Sequence, residues 1–531
     1  MPQLTWLGDA EAKRAARRVP YRLLEPRSIH GDPTAPNWLI QGDNLDALKA
    51  LLPFYAGRVK CIFIDPPYNT RSAFEHYDDN LEHSQWLSMM YPRLELLRDL
   101  LAEDGSIWVT IDDGEAHYLK VMMDEVYGRD NFIASVIWVK TSSVHNNAEF
   151  FSSMNDAIHV YAKNIEQCKF GRIPRSNRNA SDYTNPDNDI RGEWSSSPLH
   201  VSLTSGQRGA HYAKTGKSSG LFPIINPHGE EIRPPKGRCW GYSAETIMTL
   251  QVDNRIWWGA DGRNQPRLKR FFSELKNGVV PTTVWGHEDV GHNQEAKKET
   301  SALLLDEGTN LFSTPKPERL IERILHIATN PGDFVLDSFL GSGTTAAVAH
   351  KLGRRWIGIE MGEHARTHCL PRLLKVVEGE QGGISQSVGW SGGGGFRFLT
   401  LGDPVFTPDG RIQSTVGFTA LAGYLWFLET GTPWEGAGVG GASGGAPWPT
   451  GPLLGIHGDT AYVLLYNGIL GDRRPEGGNV LTSVLWREIE PLAAGRARRW
   501  VIYSEAARLP ETRRRELGIQ FKQIPYDIRM C

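Results

Sequence analysis

Two stretches of this 531-residue chain alternate strand-length apolar runs with helix-length amphipathic ones, and no other feature constrains the fold as tightly. The first opens on an apolar run, Val59–Ile64, that enters a Pro-Pro turn. Helical spacing over Ser84–Leu101, a turn at Asp104-Gly105, a strand over Ser106–Ile111, a helix over Glu115–Val126 and a strand over Phe132–Val139 follow. The second runs from a helix over Pro317–Ala328 through the turn Asn330–Asp333 to a strand at Phe334–Leu336. A Gly-rich loop, a helix over Thr344–Leu352 and a strand over Trp356–Glu360 complete it. Alternation of this kind predicts an α/β architecture, an open and mostly parallel sheet with helices on its faces.

Between the two stretches, residues 141–309 change character: Asn, Ser, Gly, Pro and Trp are frequent and apolar periodicity is short. We read 141–309 as a separate insertion into one α/β domain, whose two parts are 1–140 and 310–395. A Gly-rich stretch ending at Gly392–Gly395 leads into a third region, 396–531, read as a small C-terminal α/β domain. Its strand-like runs are Ala461–Tyr466, Trp500–Ser504 and Ile519–Ile524, and the Gly/Ala/Pro-rich tract Gly431–Gly451 reads as a flexible loop. A chain this long is expected to divide in such a way.

Composition excludes more than it assigns. The longest apolar run, Ala461–Tyr466, falls far short of the ~20 residues of a membrane span, so no membrane association is expected. Lys13, Arg14, Arg17, Arg18 and Arg22 stand where a secretory leader would be apolar, which predicts a cytoplasmic protein. Five cysteines, none in a CxxC pair, predict neither a disulfide framework nor a metal site. The net charge of −3 neither requires nor excludes nucleic acid, because a local basic face is what binds a phosphate backbone. Basic runs occur at Lys163–Arg178, Arg267–Lys276 and Arg496–Arg515, where a solvated helix face is the competing reading.

Two motifs carry chemistry. Asp65-Pro66-Pro67-Tyr68 directly follows the first apolar strand, where an open α/β sheet presents residues to ligands. The prolines stiffen the turn and remove N–H donors, leaving the Asp65 carboxylate and the Pro66 carbonyl as acceptors for a two-hydrogen amine. Tyr68 offers a face on which a base can stack. The second motif, Asp337-Ser338-Phe339-Leu340-Gly341-Ser342-Gly343-Thr344-Thr345, joins a strand to a helix. Its glycines let backbone N–H groups approach a ligand, and the helix N-terminus with the Thr344 and Thr345 hydroxyls favours a carboxylate. Glu360, at the end of the next strand, occupies the position that binds a ribose diol. The implied ligand has a ribose and a carboxylate. A nucleoside triphosphate fits poorly, since no Lys follows these glycines and the near match at Ala213–Ser219 has His211 in place of the first Gly.

Ile40–Thr70, Glu103–Asp113, Gly291–Glu299, Thr314–Leu325 and the loop from Asp337 through Glu360 together resemble the amino-group DNA methyltransferases of the circularly permuted, beta class. In that class the catalytic motif precedes the cofactor motif, and the similarity is greatest to the modification subunits of type III restriction systems. The resemblance implies a Rossmann-like, S-adenosylmethionine-dependent methyltransferase sheet with an inserted target-recognition domain. It implies methylation of N6 of a flipped-out adenine at a specific site. By position it makes Asp65, Pro66, Pro67 and Tyr68 catalytic. Asp337, Phe339, Gly341, Gly343 and Glu360 line the cofactor, Lys316 with Thr344 and Thr345 faces its carboxylate end, and Asp43 stands beside its adenine. An Asp before a helical stretch is equally a helix cap, and Trp138 is either a wall of the base pocket or core. The implied partners are double-stranded DNA, a second copy of the chain and a helicase-nuclease restriction subunit. Within 141–309, Arg172, Arg175, Arg178, Arg191, Arg208, Lys214 and Lys217 are candidate DNA contacts. Methylation of cytosine N4 and a chiefly DNA-recognition or assembly role stay open as alternatives. A carbon-methylating cytosine enzyme is excluded, as no Pro-Cys pair occurs.

Overall fold

The computed structural model describes residues 3–69, 82–144, 150–174, 183–204, 215, 217–274, 278–304, 312, 314–407, 411–437, 451–493 and 495–524. They divide into two compact units, one comprising Met1–Gly171 with Thr282–Cys531 and the other Arg172–Pro281.

In the first unit a ten-stranded sheet runs, edge to edge, Arg22–Gly31, Gly395–Pro404, Trp38–Gln41, Arg355–Glu360, Phe334–Asp337, Val59–Ile64, Leu101–Ile111, Asn155–Ala162, Phe132–Val139 and Val284–Trp285. Six neighbouring pairs are parallel. The antiparallel pairs are the one at the Arg22 edge and the two made by Asn155–Ala162. Central strands are apolar on both faces because both are covered: of Val59–Ile64 only Lys60 escapes full burial. Ile62 and Ile64 pack with Leu48, Leu51, Leu87 and Leu94 from the helices Asn44–Tyr55 and His83–Leu100. Helix Glu318–Ala328 also packs on this strand, and helix Thr344–Lys351 on Arg355–Glu360.

Phe334–Asp337 and Val59–Ile64 are adjacent and parallel, with Val335 opposite Cys61 and Leu336 opposite Ile62. The chain leaves Val59–Ile64 toward Leu101–Ile111 on one side and leaves Phe334–Asp337 toward Arg355–Glu360 on the other. Divergent crossovers from neighbouring parallel strands open a crevice at their carboxyl ends. Both motifs sit at that crevice.

The sheet is larger than its two sequence stretches. Asn155–Ala162 and Val284–Trp285 lie inside the span 141–309 yet pair in it, so the compact insertion is Arg172–Pro281. The reason is burial: Asp156 through Ala162 are buried, an insertion of sheet strand hidden in a polar neighbourhood. Gly395–Pro404 likewise belongs to the sheet, paired with Trp38–Gln41 and Arg22–Gly31. Residues beyond it form their own four-stranded sheet, Leu453–His457, Thr460–Leu464, Arg499–Ser504 and Ile519–Gln523. They do not separate as a unit, since the core around helix Phe418–Thr430 extends to Tyr21, Leu23 and Phe54. Most of Gly431–Gly451 lies outside the described residues. No helix among the described residues is long and apolar enough to cross a membrane.

The second unit is built from short ladders: a three-stranded sheet (Ile256–Trp257, Arg267–Phe271, Trp194–Pro198) and two two-stranded ones. Leu199, Ile224, Trp240, Ile247, Ile256 and Trp258 form its small core. Lys269 is 1% exposed and pairs with Asp187 and Asp189.

Candidate active site

Asp65 follows the last residue of its strand, and two neighbours fix its carboxylate. Thr110, from the adjacent strand, donates its hydroxyl to Oδ1 at 2.5 Å, and the Lys316 ammonium pairs with Oδ2. Trp86 donates its indole N–H to the Pro67 carbonyl at 2.7 Å, so the turn is anchored one peptide beyond Pro66. The Tyr68 hydroxyl donates to Asp156 at 3.1 Å, and Lys140 holds the other oxygen of Asp156 at 2.6 Å. Burial, then the negative charges of Asp65 and Asp156, raise the Tyr68 hydroxyl well above its ordinary range, keeping the phenol neutral and a donor.

On the other strand Asp337 is 3% exposed. Its Oδ1 accepts the Phe339 N–H at 2.9 Å and its Oδ2 the Thr345 hydroxyl at 2.6 Å. Burial still pushes its pKa up to about 7, with Asp65 and Glu360 adding repulsion. Gly341 and Gly343 both take left-handed backbone, φ 56° and 83°. A Cβ on Gly341 would stand 2.9 Å from the Phe312 ring, and one on Gly343 3.3 Å from the Cys369 Cα. These glycines are thus demanded by the turn itself; the Gly341 N–H, read from sequence as free to approach a ligand, donates to Glu360 at 2.6 Å.

Both motifs face one cavity of about 260 Å³. Asp65, Pro66, Pro67, Tyr68, Lys316, Asp337, Phe339, Gly341, Thr344 and Thr345 all line it, as the sequence placed them. Asp43, Gly343 and Glu360 are not in its wall. Asp43 accepts the Leu45 N–H at 2.7 Å as a helix cap and pairs with Arg93 at 3.0 Å. Glu360 lies beside Gln41 at the carboxyl ends of adjacent strands, two residues before Asp43, so both acids continue the crevice along the sheet. Trp138 is buried, donates to the Gly291 carbonyl at 3.0 Å and stays out of the wall.

Thr110, Asp112, Lys140, Asp156 and Asn293 complete the polar side of the site; Thr110, Asp112 and Asn293 lie in the segments Glu103–Asp113 and Gly291–Glu299, where nothing singles them out, and no sequence motif marks Lys140 or Asp156. Arg191, a candidate DNA contact, is instead spent on Asp189, with Nε and Nη2 each at 2.9 Å from its carboxylate. Arg175, Arg178, Arg208 and Lys214 lie outside the described residues; Arg172 and Lys217 are exposed.

The DNA methylase family of N6 and N4 type matches residues 59–369. The Mod subunit of a probable type III restriction-modification enzyme, HindVI, of Haemophilus influenzae is 32% identical over 425 residues, covering 70% of this chain and 55% of that protein. Type II methyltransferase M.EcaI of Enterobacter cloacae is 32% identical over 346 residues, covering 64% of this chain and 69% of that protein. The solved cytosine-N4-specific PvuII DNA methyltransferase aligns at 15% identity with a TM-score of 0.36, covering 68% of this chain and 94% of that one. The chain spans 55% of the length of the HindVI and StyLTI Mod subunits. The family match begins at the strand feeding Asp65 and runs past the glycine loop over more than half of the chain, and the protein belongs to the N6/N4 DNA methylase family.

Proposed function

We propose that the chain is a site-specific DNA methyltransferase acting with S-adenosylmethionine on N6 of adenine. The observation that carries the reading is the meeting of Asp65-Pro66-Pro67-Tyr68 and the Asp337–Thr345 loop on one cavity, although the chain separates them widely. The residues fit the cofactor by charge: Asp337, a buried carboxyl pushed up to about 7, ionises more readily beside a cationic centre. The N-terminus of helix Thr344–Lys351 suits a carboxylate, and Glu360 with Asp43 suits a ribose and an adenine edge. S-adenosylmethionine supplies a sulfonium methyl group that needs no further activation.

The chain's own residues then position the acceptor. Asp65 and the Pro66 carbonyl accept the two amine hydrogens and stabilise positive charge as it develops on nitrogen. Tyr68, pinned by Asp156, offers its ring to a base extruded from the duplex. Arg172–Pro281 is read as the element that chooses the DNA site. Relatives that are Mod subunits of type III restriction-modification enzymes support a place in a restriction-modification system; double-stranded DNA as substrate, a homodimeric methyltransferase, a helicase-nuclease partner and a cytoplasmic setting belong to the same proposal.

The test is nucleoside mass spectrometry of DNA incubated with the purified chain and S-adenosylmethionine. N6-methyladenine with the wild type and none with Asp65→Asn is the expected result. N4-methylcytosine would replace the adenine assignment, and no methylated base with the wild type would remove the activity altogether.

A further inference from the structure

Lys316 is 9% exposed, and its ammonium rests on Asp65, 5.1 Å from the Tyr68 ring centroid and 5.9 Å from that of Trp138. Pro315 and Pro317 stiffen its backbone on both sides, so the side chain holds its freedom. The carboxylate and ring it contacts are those that a target amine and base require. An ammonium on Asp65 opposes methyl transfer twice. It consumes acceptor capacity, and it stands beside a nitrogen that becomes positive as the methyl group arrives. Lys316 also shares a cavity wall with Gly341, Ser342, Thr344 and Thr345, where the helix N-terminus favours an anion.

We propose that Lys316 is a positioning residue shared between two ligands: it exchanges the Asp65 carboxylate for the carboxylate end of the cofactor, so that cofactor binding frees Asp65 for the target amine and sets the order cofactor first. This rests on the methyltransferase reading. To the place at the cofactor's carboxylate end that the family resemblance implies for Lys316, it adds the release of the catalytic acid. The Lys316–Asp65 pair therefore competes with cofactor binding, and breaking it from the Asp65 side favours the cofactor.

Calorimetry on the full chain tests this without DNA. The probes are S-adenosylhomocysteine, which carries the carboxylate, and methylthioadenosine, which lacks it. The proteins are wild type, Asp65→Asn, Lys316→Met and the double variant, with Lys316→Gln as the alternative should the Met variant not fold. Asp65→Asn is expected to tighten S-adenosylhomocysteine about five- to tenfold and to leave methylthioadenosine unchanged, and this gain should vanish in the Lys316→Met background. Unchanged or weaker S-adenosylhomocysteine binding in Asp65→Asn overturns the proposal. Equal tightening with and without Lys316 overturns it too, because that is removal of charge alone. Failure of both probes to bind the wild type would instead strike at the cofactor assignment, and the proposal would fall with it.

Discussion

Asp337 shows how far burial sets the chemistry of one carboxylate. It keeps two donors, Phe339 and Thr345, yet its folded-state pKa sits near 7 against an ordinary 3.8. A raised pKa means the folded state favours the protonated form. The associated stability is complete below pH 3.8 and is lost as the pH climbs through about 7. It amounts to ~4 kcal/mol at most. Asp337→Asn should therefore flatten the decline in melting temperature between pH 4 and pH 8 relative to wild type. Parallel profiles in the two proteins would mean that Asp337 ionises in the fold at no cost. Asp337 and Asp65 were legible because each sits in a short motif after an apolar strand. Asp156 was not, because it reaches Tyr68 only through strand order, from a strand whose local sequence carries no sign of it, and Thr110, though inside the segment Glu103–Asp113, has no local sign that it reaches Asp65.

At the scale of elements, three helices around the glycine loop are joined by buried charge. Glu318, 0% exposed at the start of helix Glu318–Ala328, receives Lys351 at 2.7 Å and Arg372 at 2.8 Å. The Ile384 N–H donates to it at 3.0 Å. Arg372 also donates to the Thr344 hydroxyl at 2.8 Å, tying the first residue of helix Thr344–Lys351 to helix Leu370–Glu378. Burial alone would raise Glu318, but Arg372 and Lys351 overcome it and hold the carboxyl below its ordinary range. Arg372→Met leaves that carboxylate short of a cation in the interior and should cost about 3–5 kcal/mol. Chemical denaturation measures this directly; a loss under ~1 kcal/mol would show the network to be marginal. Sequence revealed the helices but not the network, since a Glu at a helix start reads as an ordinary dipole partner. The strand Asn155–Ala162 escaped for a related reason. Asp156 and His159 interrupt an otherwise apolar run, and both prove buried because each has a partner waiting, Lys140 and the Ala116 carbonyl.

At the scale of the molecule, where the insertion begins and ends decides what an exchange of parts would do. The polar composition of 141–309 suggested one replaceable block. The sheet claims Asn155–Ala162 and Val284–Trp285 from it, and removing that block would strip two strands flanking Phe132–Val139. Arg172–Pro281 has its own ladders and its own core, and its ends approach each other: Ile173 and Val279 exchange backbone hydrogen bonds at 2.9 and 2.8 Å. Closely spaced ends are what a grafted unit needs, because the host backbone need not move to accept it. Strand Arg267–Phe271 exposes Arg267 and Arg270 on opposite faces, each donating to a serine of the neighbouring strand, Ser196 and Ser197, and arginine with serine is a set suited to phosphate and base edges. Replacing Arg172–Pro281 with the matching unit of a relative of different specificity should move the methylated sequence to that of the donor. Single-molecule sequencing of host DNA reads the outcome. A hybrid that folds and methylates but keeps the original site would place recognition in the first unit, with the region after Gly395–Pro404 as the next segment to exchange.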